Sequence, residues 1–244
     1  MVRIAYIVPG IGLELPELER RQSILRNLVF KDNTVDVIII NEGPYTIESG
    51  IEEEYAAVSY LNKLYEIKDR YDAFIIGCFG DPGLRAAREL VQKPVIGPGE
   101  ISYAVASVLA RKFLVVTPLT STISITWEQL DSYGYSSRVY SVVSVDIKVA
   151  DIQLRREELV DAIIRNIKNL VGYGGGEALI IGCMSMGFAM IDDQLSIRLG
   201  VPVINPVKIS LKFAEVLAHL NLTHSKFTYP IPDLTKLKHL LHIT

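Results

Sequence analysis

Cysteine is scarce: 244 residues contain two, Cys78 and Cys183. Two thiols cannot build a disulfide scaffold, and such sparse use fits a reducing cytosol. Long apolar runs are missing as well. None approaches the roughly 18–20 residues that a membrane helix needs. The opening stretch Met1–Val8 is too short for a signal peptide and runs straight into strand-like sequence, so the expected location is cytoplasmic. Neither sign of charge dominates, with 25 Lys and Arg against 28 Asp and Glu, a net charge of −3. That balance leaves no electrostatic footprint for nucleic acid or for an anionic membrane. Histidine is limited to His219, His224, His239 and His242. No carboxylate or thiol stands beside the last two at metal-ligand spacing, so a solvated terminal helix is expected there and no metal.

What is abundant is hydrophobic sequence, 49% of the chain against 22% charged, the balance of a globular protein. Its pattern is regular. Unbroken runs rich in Ile and Val occur at Val2–Val8, Val35–Ile40, Ala73–Ile76, Pro94–Ile96, Phe113–Val116, Val139–Val145, Ala178–Ile181 and Val201–Ile204. Such runs suit strands covered on both faces, as in parallel sheets. Between them lie stretches of helical length: Pro16–Val29, Ile51–Arg70, Glu100–Leu109, Asp151–Val171 and Pro206–Leu222, with a short last helix at Leu234–Leu241. In Asp151–Val171 the residues Ile152, Leu159, Ile163, Ile167 and Leu170 keep to one helix face. Alternating strand and helix predicts a doubly wound α/β architecture. Gly172–Gly176 tempts one towards a phosphate loop, but no strand precedes it and no helix follows, so a turn within a domain is expected.

The chain also repeats itself. Asp72-Ala-Phe-Ile-Ile-Gly-Cys78 resembles Glu177-Ala-Leu-Ile-Ile-Gly-Cys183. Each is followed by a helical stretch, with Leu90 and Leu195 also 105 residues apart, and then by Lys93-Pro-Val-Ile-Gly-Pro98 or Val201-Pro-Val-Ile-Asn-Pro206. Both cysteines therefore occupy one position of a repeat, where a buried strand ends and a helix is predicted to begin. In open α/β sheets that carboxyl edge is where ligands bind. A helix N-terminus favours thiolate there. Burial of a small hydrophobe explains one such Cys, but not both members of the same pair. Two opposed thiols suit inversion of a carbon beside a carbonyl, one thiolate taking a proton and one thiol returning another. Backbone N–H groups at Phe79, Gly80, Met184 and Ser185 are the candidate donors to the carbonyl oxygen. This chemistry requires no cofactor.

The residues Gly77-Cys-Phe-Gly-Asp-Pro-Gly-Leu84, Ala86-Ala-Arg-Glu-Leu90 and Pro94-Val-Ile-Gly97 carry a family resemblance. Supporting segments are Glu42-Gly-Pro44, Ile47-Glu-Ser49, Val115-Val-Thr117, Ile181-Gly-Cys183 and Gly200-Val-Pro-Val-Ile204. On these the chain resembles the hydantoin racemase branch of the aspartate/glutamate racemase superfamily. The resemblance implies two similar flavodoxin-like lobes with parallel sheets, related by a pseudo-twofold axis, with the active site between them. It places one lobe at residues 1–97 plus 207–244 and the second at 98–206. It also implies cofactor-independent racemisation of a 5-substituted hydantoin or allantoin, with Cys78 and Cys183 as the two bases. Pro9, Gly10, Glu48 and Thr117 join the four backbone donors as expected substrate contacts, Thr117 by donating a hydrogen bond to a substrate carbonyl. Asp81 is expected to cap the helix after Cys78, and Asp192-Asp193 to lie on the polar face of a helix.

The chain departs from the family at Val8-Pro9-Gly10, which replaces a polar Asn-Pro-Asn-type loop. Met184-Ser-Met186 likewise replaces Ala-Gly-Met, and Pro118 follows Thr117 where a second Thr is common. Phe79 and Met184 are apolar where amino-acid racemases place Thr, which favours a neutral cyclic amide over a zwitterion. An Asp/Glu racemase or a maleate isomerase-like enzyme remains an alternative, as does a non-catalytic binding protein on the same scaffold. The expected partner is a small molecule, with a homo-oligomer left open.

Overall fold

In the computed structural model, which describes residues 1–237, all eight apolar runs are strands. They are β1 (Arg3–Val8), β2 (Thr34–Ile39), β3 (Ala73–Ile76), β4 (Val95–Ile96), β5 (Phe113–Thr117), β6 (Val139–Ser144), β7 (Ala178–Ile181) and β8 (Val203–Ile204). Every pairing is parallel. They form two four-stranded sheets, ordered β2-β1-β3-β4 and β6-β5-β7-β8. The second order repeats the first with each number raised by four, so the internal repeat in sequence is a repeat of topology. In each sheet the order reverses between the two central strands, β1 and β3 in one and β5 and β7 in the other.

The helices are α1 (Leu15–Leu28), α2 (Gly50–Ile67), α3 (Leu84–Leu90), α4 (Pro98–Leu109), α5 (Thr122–Ser132), α6 (Arg156–Ile167), α7 (Met184–Phe188), α8 (Asp192–Leu199) and α9 (Pro206–His219). Strands β3 and β7 are buried along their whole lengths, as sheets covered on both faces require. Two expectations need correction. The stretch Asp151–Val171 is not one helix. 3-10 turns at Val149–Asp151 and Lys168–Leu170 flank α6, and they still carry Ile152 and Leu170 to the same core. Beyond Leu222 the predicted helix Leu234–Leu241 begins as a 3-10 turn at Leu234–Lys236, and its remainder, with His239 and His242, lies outside the described residues. Gly172 and Gly174 adopt positive φ, and Gly172 N–H bonds Gly176 O at 3.1 Å, so that stretch is a turn as expected. Among the described residues no helix is long and apolar enough to cross a membrane.

The chain divides into two compact units. The first contains Met1–Ile47, Ile51–Gly97 and the stretch from Ser210 onward; the second contains Glu48–Gly50 and Pro98–Ile209. The three residues Glu48–Gly50 thus group with the second unit although they precede β3 in the chain. The last boundary falls inside α9. Its second half is held to the first unit by a buried carboxylate. Glu215 is fully buried and accepts hydrogen bonds from Phe30 N–H at 2.7 Å and Asn33 Nδ2 at 2.8 Å. Lys212 neutralises it at 2.9 Å and lies over the Phe30 ring. Asn33 in turn accepts Val2 N–H at 2.9 Å and donates to His219 Nε2 at 3.0 Å, which makes that ring nitrogen the unprotonated one. Through these bonds α9 closes on the segments that lead into β1 and β2.

Replacing Glu215 leaves the donors of Phe30 and Asn33 without this acceptor, the Asn33 one at a buried position. Glu215→Ala should therefore lower the unfolding free energy by about 3 kcal/mol, measured by urea denaturation. A loss below about 1 kcal/mol would show that the network is dispensable.

Candidate active site

The two cysteines are set in place by the same backbone device. The acid that opens each repeat holds the start of the neighbouring central strand. Asp72 accepts Arg3 N–H at 2.8 Å in the first unit, and Glu177 accepts Arg111 N–H at 2.8 Å in the second. The buried strand follows. The glycine before each cysteine then makes one last bond to the neighbouring central strand: Gly77 N–H to Ile7 O at 2.7 Å, and Gly182 N–H to Val116 O at 2.7 Å. A Cβ on Gly77 would lie 2.5 Å from Ile7 O, and one on Gly182 2.8 Å from Val116 O, so only glycine fits. Immediately beyond this bond each chain leaves its sheet, and the next residue is the cysteine.

In the first unit the carboxyl edge collects Pro9 and Gly10 at the end of β1 with Cys78, Phe79 and Gly80 at the end of β3. These are the two strands that flank the reversal of order, where ligands bind in such sheets. Pro9, Gly10 and Phe79 are buried, Cys78 partly so. The loop after β1 is fastened to the loop after β2 by Ile11 N–H to Pro44 O and Gly12 N–H to Tyr45 O, both 3.0 Å. Here the structure departs from the expected helix at the thiol. Cys78 O accepts Asp81 N–H in a turn at 3.3 Å, and α3 begins only at Leu84, after Gly83. Asp81 does not cap it. It adopts a left-handed φ of 55° and is buried. The buried Tyr60 hydroxyl close by has no hydrogen-bond partner. Its pKa is pushed well above 10, first by burial and then by the Asp81 charge, with Arg88 working in the other direction.

In the second unit Thr117 ends β5, and Cys183, Met184 and Ser185 follow β7, again flanking the reversal. Cys183 is the N-cap of α7, with Gly187 N–H bonded to Cys183 O at 2.9 Å. The N–H groups of Met184 and Ser185 therefore belong to the first turn of this helix. Cys183 thus stands at a helix start, and Cys78 does not. Thr117 meets Thr122 Oγ1 at 2.5 Å, and Thr122 spends its own proton on Leu119 O at 2.7 Å. The Thr117 proton consequently points to Thr122, and Thr117 presents lone pairs where a donor was expected. Glu48 accepts Val149 N–H at 2.9 Å, while its backbone carbonyl accepts from Ser121 Oγ at 3.2 Å. It therefore joins the loops that follow β5 and β6.

Two groupings escaped the reading of the sequence. Asp146 accepts from Thr120 N–H at 3.1 Å, Thr120 Oγ1 at 2.8 Å and Ser144 Oγ at 3.2 Å, tying those same loops together. Asp192, expected on a polar face, is instead buried, ion-paired with Lys208 at 2.5 Å and bonded to Asn205 Nδ2 at 2.8 Å. Only Asp193 is exposed. The difference between Gly97 and Asn205 in the two repeat copies was the visible signal for the second grouping. His224 accepts Val95 N–H at 2.9 Å and is a structural residue. Among the described residues no group of three or more His, Cys, Asp or Glu gathers as a metal site.

A family model described as Asp/Glu/Hydantoin racemase matches residues 18–214. The chain belongs to that family. It is accordingly an isomerase of the racemase type. It is 35% identical over 204 residues to the hydantoin racemase of Pseudomonas sp. (strain NS671), covering 83% of this chain and 81% of that protein. It is 31% identical over 228 residues to the hydantoin racemase of Paenarthrobacter aurescens, covering 92% and 94%. The structure of an allantoin racemase from Klebsiella pneumoniae superposes with a TM-score of 0.86 at 31% identity, covering 96% of this chain and 94% of that one. The hydantoin and allantoin racemase branch of the family is thus the one the chain resembles.

The Asp146 cluster yields a pH prediction. Hydrogen bonds from Thr120, opposed by a smaller desolvation effect, hold the Asp146 carboxyl below its ordinary value. A lowered folded-state pKa makes its contribution present above the unfolded pKa and lost as pH falls through the folded one. The Thr120 amide should therefore keep its hydrogen-exchange protection at neutral pH and lose it on acidification below about pH 4. Asp146→Ala, which removes the acceptor, should lose that protection at every pH; equal protection in the variant at pH 7 would refute the tie.

Proposed function

We propose that the protein racemises a hydantoin-type ring without a cofactor, with Cys78 and Cys183 as its two acid/base groups. The observation that carries this reading is the repeated strand ending. The chain's two cysteines both emerge one residue past an equivalent 2.7 Å backbone bond, each beside the reversal point of its sheet. The substrate class is supported by the hydantoin and allantoin racemases among the relatives. The buried apolar neighbours Phe79 and Met184 also suit a neutral ring better than a zwitterion.

The chemistry balances with these groups alone. A thiolate on one face takes the hydrogen from the stereocentre, the C–H bond breaks, and its electron pair moves into the adjacent carbonyl as an enolate. The thiol on the opposite face then gives its proton to the carbon as the carbonyl re-forms. The products are the inverted stereocentre and an exchanged thiol/thiolate pair, ready for the reverse reaction. Enolate charge calls for donors that are fixed before the reaction. Backbone N–H groups of Phe79, Gly80, Met184 and Ser185 fill that role, those of Met184 and Ser185 strengthened by the first turn of α7. Pro9, Gly10, Glu48 and Thr117 are the further substrate contacts of this reading. Thr117, with its proton directed at Thr122, would accept from a ring N–H.

Cys78→Ala and Cys183→Ala should each lower racemisation of single enantiomers of allantoin or a 5-substituted hydantoin by roughly 10²–10⁴-fold in polarimetry. Proton NMR in D₂O should still show exchange of the stereocentre hydrogen for one enantiomer in each variant, because one base remains. Normal racemisation by either variant would end the two-thiol mechanism.

A further inference from the structure

The two repeat copies differ at one position of their last strand ending, Gly97 in Ile96-Gly-Pro98 against Asn205 in Ile204-Asn-Pro206. The structure shows what the difference accommodates. In the first unit a Cβ on Gly97 would lie 2.7 Å from Asp81 Cγ and Oδ2. The carboxylate of the Cys78 turn therefore rests on the backbone that follows β4. In the second unit the direction is reversed. The Asn205 side chain reaches from the end of β8 to the Cys183 helix, and a Cβ on Gly187 would lie 2.9 Å from Asn205 Oδ1. Each unit thus joins its cysteine turn to its last strand with one polar side chain packed on one glycine, contributed from opposite ends.

Asn205 is 2% exposed, and its amide nitrogen and its amide oxygen are both hydrogen-bonded. Nδ2 donates to Gly187 O at 3.0 Å and to Asp192 Oδ1 at 2.8 Å, and Oδ1 accepts Val207 N–H at 3.0 Å. Gly187 is the residue whose N–H bonds Cys183 O at 2.9 Å. One turn of backbone therefore separates the amide of Asn205 from the cysteine. The C-terminal side of α7 is fastened as well, since Arg156 donates to Ala189 O at 2.9 Å and Met190 O at 3.3 Å.

We propose that Asn205 is a positioning residue that sets the orientation of α7, and with it the Cys183 thiol at its N-cap, through the Gly187 carbonyl. Its role for catalysis rests on the reading of Cys183 as an acid/base group, but its effect on the thiol can be read without turnover. The experiment is iodoacetamide alkylation of each cysteine, followed by mass spectrometry against pH, with the thermal midpoint measured alongside. Asn205→Asp keeps the shape and the acceptor for Val207 N–H while removing both donors. Cys183 alkylation at neutral pH should slow roughly 10- to 100-fold, with Cys78 alkylation within about twofold of wild type.

Asp192→Asn combined with Asn205→Asp rebuilds an amide–carboxylate pair with the roles exchanged but leaves Gly187 O without its donor. The thermal midpoint should recover in part in this double variant, because Lys208 still loses its Asp192 partner, while Cys183 stays slow. Recovery of Cys183 reactivity together with the midpoint would show that Asn205 serves only stability and would overturn the proposal. So would a wild-type Cys183 profile in Asn205→Asp. If the single variant fails to fold, the double variant carries the test alone. A wild-type enzyme that fails to racemise the panel, with Cys183 still slowed by the substitutions, would refute the proposed reaction and leave the positioning role standing.

Discussion

A single backbone hydrogen bond, made twice, is what the rest of this structure converges on. Gly77 N–H and Gly182 N–H each close the end of a parallel ladder at 2.7 Å against the carbonyl of the neighbouring central strand. Because the glycine has no side chain, the chain can pass against that carbonyl and then leave the sheet at once. The cysteine that follows is delivered to the carboxyl edge at the point where strand order reverses. Everything upstream serves this delivery. The buried Ile-Ile strands carry the chain through the core, and the acids Asp72 and Glu177 fix the starts of the strands against which they run.

The equivalence ends beyond the cysteines, where the two units diverge in both geometry and electrostatics. Cys183 begins a helix directly, whereas Cys78 enters a turn containing a buried, left-handed Asp81, with α3 beginning six residues later. One thiol therefore has the dipole of a helix behind it, and the other has a buried carboxylate three residues away.

Several elements were legible because they rest on local or repeated patterns. Eight apolar runs read as eight strands, and the repeat of Ile-Ile-Gly-Cys announced the repeat of topology. Helix α5 escaped because Thr120-Ser-Thr-Ile-Ser-Ile-Thr126 is built from residues that favour strands and turns. Its helical state is held by tertiary contacts, among them buried Leu130 and the 2.7 Å bond between Tyr103 and Gln129. The helix expected over Asp151–Val171 was read too long because 3-10 turns can satisfy the same apolar spacing.

Sequence by itself determined the strands, the doubly wound α/β class, the equivalence of the two cysteines and the resemblance to a racemase family. These follow from periodicity and from identity between segments, which need no coordinates. Only the tertiary structure decided that Cys183 caps a helix and Cys78 does not, that Asp192 is buried against Lys208 and Asn205, and that Thr117 spends its proton on Thr122. The physical reason is that each of these depends on where a polar group finds its partner. Partners such as Asn205 and Asp192, separated by thirteen residues, meet only once helices and strands have packed.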